Sequence, residues 1–145
     1  HRLCQPNKFM RKSMNRISYI LVLFVGIITC LSFIPHAFMG MQAVVEHIDK
    51  GEIQPVAADG MQEIWLYSSI MMLLSGIWML FLAKPIQRGN HWARVQLLLV
   101  GIGLVVFGLG CVYISKEIDA MIAFAVQGLL LVLATTLFFK KQNHE

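Results

Sequence analysis

Four long apolar stretches dominate the sequence and restrict the folds that the chain can adopt. They cover residues 17–34, 64–83, 95–115 and 120–139, and none of them contains a charged residue. Each is roughly twenty residues long, which at about 1.5 Å per residue matches a hydrocarbon core of about 30 Å. Because lipid offers no partner for backbone polar groups, such segments cross membranes as helices. The sequence therefore predicts an all-α, integral membrane four-helix transmembrane bundle.

The composition agrees with a membrane location. Apolar residues make up 57% of the 145 residues and charged residues only 14%, whereas a soluble body of this size has much surface to cover with polar groups. The length suits one domain, which we place at residues 14–145. Residues 1–13 are expected to be either a basic cytoplasmic tail or a foreign remnant, because Met10 and Met14 could each start the native chain. We expect helices near residues 17–39, 62–84, 94–115 and 119–139, with an outer loop near 40–61.

The distribution of positive charge predicts the topology. Ten of the 12 Lys and Arg residues lie before the first apolar stretch, between the second and third, or after the fourth. The other two are Lys50 and Lys116. Since Lys and Arg concentrate in cytoplasmic segments, we expect up-down-up-down order with both termini cytoplasmic, in a multi-pass protein of the plasma or inner cell membrane. No basic stripe interleaves with aromatic residues, so a nucleic-acid partner is not expected.

The first loop carries a helical pattern over part of its length. Phe38, Met41, Val44 and Ile48 recur at three- to four-residue spacing with polar residues between them, which is the period of an amphipathic helix. This segment either extends the first helix or lies along the outer membrane surface. We expect it to end at Gly51, with residues 55–60 as a loop.

The dipeptide Pro35-His36 marks the most informative position. A proline near the outer end of the first helix removes one backbone hydrogen bond and permits a kink. An ionisable side chain at the edge of an apolar helix is a candidate for function. The alternative interpretation is that His36 is a solvated helix end.

Other polar and aromatic side chains are expected at the same membrane level as His36 or facing the interior of the bundle. Gln127 lies near the middle of the fourth helix, where an amide can bind a ligand or bridge two helices. The predicted ligand-binding residues are His36, Gln62, Glu63, Trp65, Tyr113 and Gln127.

A metal site near His36 is a weaker alternative. Histidines and carboxylates of the outer loops could bind a divalent ion, and methionines near His36 would suit Cu(I). Neither set has diagnostic spacing, so metal ligands and cofactors are left unassigned. The residues considered are His36, Glu46, His47, Gln62, Glu63, Glu117 and Asp119 for a divalent ion, and Met39, Met41 and Met61 for copper.

Small residues predict close helix packing. The third apolar stretch contains the pairs Gly101/Gly108 and Gly103/Gly110, each seven residues apart. Seven residues nearly complete two turns, so each pair forms a strip at which another backbone can approach. Packing within the chain is the simpler interpretation, and self-association is the alternative.

Three functions remain open at this point. The first is a protein that binds or transports a small apolar or lipid-like ligand near the outer leaflet, with membrane lipid as its partner. The second is an accessory subunit that docks another membrane protein or a second copy of itself. The third is a membrane enzyme that acts on a lipid or quinone, with His36 as acid or base and Glu63 beside it. No catalytic residue is assigned.

Overall fold

The computed structural model describes residues 8–116 and 121–137, with residues 8–14 as backbone only. Within these ranges the chain is helical and contains no strand. The helices are α1 (Lys8–Pro35), α2 (Met41–Asp49), α3 (Pro55–Gln87), α4 (His91–Ser115) and α5 (Ile122–Thr136), and a π-helical turn at His36–Gly40 joins α1 to α2. The predicted all-helical class is confirmed.

Three helical segments are long and apolar enough to cross a membrane. They are Asn15–Asp49, which runs through the π turn, together with Pro55–Gln87 and His91–Ser115, of 35, 33 and 25 residues. The membrane character of the chain is thereby supported. The described part of the fourth predicted segment is the shorter apolar helix Ile122–Thr136, and its expected continuation to residue 139 lies outside the described residues.

The predicted outer loop is mostly helical. α1 continues through the π turn into α2, as the apolar spacing of this segment allowed. Gly51 adopts a positive φ of 72°, which glycine tolerates because it has no Cβ, and the helix ends there as expected. The expected loop at residues 55–60 is instead the first part of α3. Proline suits the first position of a helix because its missing N–H would have no intrahelical partner there.

The chain divides into two compact units. One contains the residues up to Val25 and those from Met79 onward, and the other is Gly26–Trp78. The first unit has a core of fully or almost fully buried apolar side chains contributed by α1, α3, α4 and α5: Val22, Val25, Met79, Ala83, Ile86, Ala93, Leu97, Leu131 and Ala134. The sequence predicts a single domain and does not reveal this division.

One of the two glycine pairs lies against α5. A Cβ built at Gly108 would lie 2.5 Å from the Ala125 nitrogen, and one at Gly101 would lie 3.0 Å from the Gly128 carbonyl oxygen. A Cβ at Gly103 or Gly110 would meet nothing within 4 Å among the described residues. The packing interpretation therefore holds for Gly101 and Gly108, whereas Gly103 and Gly110 make no such contact with the described residues.

In the second unit, α1 and α3 approach closely at Gly76. A Cβ at this position would lie 2.8 Å from the Cys30 backbone nitrogen and 3.1 Å from the Gly26 carbonyl oxygen. A glycine is required here because the two backbones leave no room for a side chain. This contact holds the part of α1 that leads to His36 beside α3.

Candidate functional site

His36 opens the π turn that follows Pro35. Proline cannot donate a backbone hydrogen bond, and its ring crowds the preceding helical turn. A wider turn is one way for a helix to absorb such a break, and π turns inside helices are frequent at functional sites. The local sequence therefore places an ionisable side chain where the helix is irregular.

Trp65 of α3 fixes both the backbone and the ring of His36. Its indole Nε1 donates a hydrogen bond of 2.8 Å to the His36 carbonyl oxygen. The two rings are stacked, with centroids 4.7 Å apart and planes 18° from parallel. One tryptophan thus holds the turn and sets the plane of the imidazole.

Gly40 makes room for that tryptophan. A Cβ at Gly40 would lie 2.7 Å from Cε2 and 2.8 Å from Nε1 of Trp65, which is closer than side-chain carbons approach other heavy atoms. The φ of Gly40 is −67°, an ordinary helical value. Glycine is therefore needed for space and not for backbone conformation.

Ser69 lies one helical turn beyond Trp65 and contacts the imidazole. Its Oγ is 3.0 Å from His36 Nδ1 and donates a hydrogen bond of 2.8 Å to the Trp65 carbonyl oxygen. The Ser68 hydroxyl donates to the same carbonyl at 2.9 Å. Ser69 is completely buried, so its hydroxyl exchanges no hydrogen bond with solvent.

The hydrogen bonds of Ser69 bear on the imidazole tautomer, since the role of His36 Nδ1 as donor or acceptor depends on it. A serine hydroxyl has one proton to donate, and the proton of Ser69 goes to the Trp65 carbonyl. With that donor assignment the Ser69 oxygen accepts from His36, and Nδ1 carries a proton. In a neutral ring this leaves Nε2 with its lone pair.

His36 Nε2 has no hydrogen-bond partner among the residues that the structure describes. No buried side-chain nitrogen or oxygen in that part of the chain lacks a partner. Since His36 itself is only half-buried, Nε2 must be accessible. With the proton on Nδ1, Nε2 is an oriented acceptor that could bind a proton, a hydrogen-bond donor or a metal ion.

The other predicted ligand-binding residues differ in their positions. Gln62 is half-buried and Glu63 exposed, both in the second unit. Within the described ranges Glu63 makes no hydrogen bond or ion pair with His36, so the expected pairing of His36 with Glu63 is not formed.

Tyr113, in the first unit, is 74% exposed and lies beneath the Lys116 ammonium, which is 3.9 Å from the ring centroid. Gln127, also in the first unit, is buried with 7% exposure.

The metal alternative gains no support from the described residues. No group of three His, Cys, Asp or Glu side chains there is arranged to hold an ion. His47 pairs instead with Glu52, with Nδ1 2.5 Å from Oε2 at an exposed position. Glu46 forms an ion pair with Lys50 at 2.6 Å. Glu117 and Asp119 lie outside the described residues.

The sequence did not identify Ser69 and Gly40 as parts of this site. Ser69 lies four residues after Trp65, and that spacing places the two on one helical face. The spacing was the available signal, but serine in an apolar helix is equally typical of packing. Nothing in the sequence indicated Gly40, because a glycine is required there only to make room for the Trp65 ring of α3.

Comparison of the chain with protein-family models, with curated proteins and with solved structures found no match. A proposal about function therefore depends on the residues and geometry of the site alone.

Proposed function

We propose that this chain is a multi-pass protein of the plasma or inner cell membrane that binds or transports a small apolar or lipid-like ligand at His36. In this proposal four helices cross the bilayer in up-down-up-down order, with both termini cytoplasmic. The ten-to-two distribution of Lys and Arg supports that orientation. His36 then lies toward the outer leaflet.

The observation that carries the proposal is the accessible Nε2 of an imidazole that is otherwise fully constrained. Ser69 occupies Nδ1, Trp65 stacks on the ring, and Gly40 admits Trp65. A merely solvated helix end has no need of two side-chain constraints and a glycine that makes room for one of them. Few polar groups precisely placed in apolar surroundings are typical of small-molecule sites.

The surroundings favour an amphipathic ligand. Large apolar side chains of α1, the π turn and α3 are exposed in the unit that contains His36: Ile34, Phe38, Met39, Leu66 and Ile70. In a membrane such side chains face acyl chains. A molecule that reaches Nε2 through this environment needs an apolar body and one polar group.

Native mass spectrometry tests the proposal. The protein is stripped of lipid in a mild detergent and then offered dioleoyl phosphatidylethanolamine, phosphatidylglycerol and phosphatidylcholine in turn. We expect at least one of these lipids to remain bound to the wild-type chain and to be lost from His36→Ala. His47→Ala is the control, because His47 is exposed and pairs with Glu52, and it should bind as the wild type does.

Equal lipid retention by both variants would overturn the proposal. A dimeric mass without bound lipid would favour the accessory-subunit alternative, since the same spectrum reports stoichiometry. A carboxylate beside His36 would have supported the enzyme alternative, and the described residues place none in hydrogen-bond contact with it.

A further inference from the structure

We propose that Ser69 holds His36 in the Nδ1–H tautomer, so that the site selects ligands whose polar group donates a hydrogen bond, such as an ammonium or a hydroxyl. This inference rests on the proposed function and specifies the chemistry of its ligand. Ser69 is a positioning residue, because it acts through the imidazole and not on the ligand.

The inference depends on where the single Ser69 hydroxyl proton lies between His36 Nδ1 and the Trp65 carbonyl oxygen. If the Ser69 hydroxyl donated to Nδ1 instead, its oxygen would face the Trp65 carbonyl oxygen at 2.8 Å with no proton between them. Two acceptors at that distance repel each other, whereas the opposite arrangement satisfies both contacts. The proton on Nδ1 follows from this, and Nε2 is left as an acceptor.

A charged imidazolium would reverse the selectivity, because both of its nitrogens donate. Such a ring would attract phosphate oxygens. No carboxylate in the described part of the chain is bonded to His36, so no negative partner offsets a charge on the ring. A neutral ring with its proton on Nδ1 satisfies these contacts, and its ligand must then supply the donor.

Lipids with the same dioleoyl chains and different headgroups provide a matched test. Phosphatidylethanolamine donates through an ammonium and phosphatidylglycerol through hydroxyls, whereas phosphatidylcholine has no N–H or O–H. We expect the two donor lipids to bind the wild-type chain about tenfold more tightly than phosphatidylcholine, as one added hydrogen bond permits. The two donor lipids together distinguish an ammonium from a hydroxyl as the preferred group.

Variants of Ser69 test its positioning role. In Ser69→Ala the imidazole is free to move its proton to Nε2, and the preference for donor lipids should fall to within about twofold. Ser69→Thr keeps the hydroxyl and should keep the preference. Loss of all binding in both variants would show that Ser69 acts only in folding and would overturn the inference.

The tautomer itself can be observed without any ligand. In protein labelled with ¹⁵N-histidine, a protonated and an unprotonated ring nitrogen have distinct ¹⁵N NMR chemical shifts. The signals that disappear in His36→Gln are those of His36. We expect the proton on Nδ1 in the wild type and in Ser69→Thr, and a shift of population toward Nε2 in Ser69→Ala. A proton on Nε2 in the wild type would overturn the inference.

The two proposals fail in different ways. If His36→Ala weakens all three lipids equally while phosphatidylcholine binds the wild type as tightly as the donor lipids, only the inference about the tautomer fails. If His36→Ala leaves binding unchanged, the proposed function fails.

Discussion

At Gly40 the indole of Trp65 occupies the space that any side chain would need. The same indole donates to the His36 carbonyl and stacks on the imidazole. A single methyl group at residue 40 would therefore disturb a hydrogen bond and a ring contact together. The arrangement of the site depends on the absence of a side chain at this position.

Gly40→Ala is expected to displace Trp65 and to destabilise the protein by about 1–3 kcal/mol, as overpacking of a filled space does. Thermal unfolding in mild detergent measures the loss, and a shift in tryptophan fluorescence reports the movement of the ring.

Gly60→Ala is the matched control for Gly40→Ala. It lies in a helix, and a Cβ there would meet nothing within 4 Å in the described part of the chain. Helix propensity alone should make this variant neutral or up to about 1 kcal/mol more stable. Equal melting temperatures for the wild type and Gly40→Ala would contradict the tight contact.

Residue types alone could identify only part of the site. His36 and Trp65 stand out because ionisable and amphipathic side chains are few in so apolar a chain. Ser69 does not, because a serine among aliphatic residues indicates packing as readily as positioning. Its role depends on which hydrogen bond its single proton makes, and that is a property of the folded chain.

At the scale of helices, the spacing of apolar residues and prolines accounts for most of the fold. Pro35 cannot donate a backbone hydrogen bond, and Gly40 lies five residues after it. The π turn between them accommodates both residues, so α1 continues into α2. Pro55 likewise begins α3 instead of extending a loop. The sequence correctly predicts that the helix continues past Pro35, and the prediction is wrong at Pro55, where a helix begins in place of the expected loop.

The two glycine pairs of α4 have different neighbours, and this yields a prediction. Gly108→Leu should destabilise the protein by about 1–3 kcal/mol, because a side chain there meets the backbone of Ala125. Gly103→Leu should be neutral or slightly stabilising, since that position is open among the described residues and leucine favours helix over glycine. Thermal unfolding of both variants in one detergent measures the two changes in stability.

An equal loss of stability in Gly103→Leu would show that the strip is covered by residues outside the described part of the chain, by a second copy or by another protein. The period of seven residues is the same for both pairs and cannot distinguish them from the sequence. Which strip is covered depends on the small residues of the partner helix, here Ala125 and Gly128 of α5.

For the whole molecule, the sequence predicts helical class and membrane location from length and hydrophobicity alone. Three segments meet these criteria in the structure. The division into two compact units could not be predicted, because it depends on where helices contact one another along their lengths. Hydropathy records only that each residue avoids water.

Orientation in the membrane is the property that a cysteine-labelling experiment tests directly. In a chain whose native cysteines are replaced, Glu52→Cys should react with a membrane-impermeant maleimide applied to intact cells, and Arg88→Cys should react only after the membrane is opened. Both positions are exposed, so a failure to react reports the membrane barrier and not burial. The physical reason is that ten of the 12 Lys and Arg residues lie on the side predicted to be cytoplasmic. Reversed labelling would place His36 toward the cytoplasmic leaflet, and the ligand would then have to enter from inside the cell.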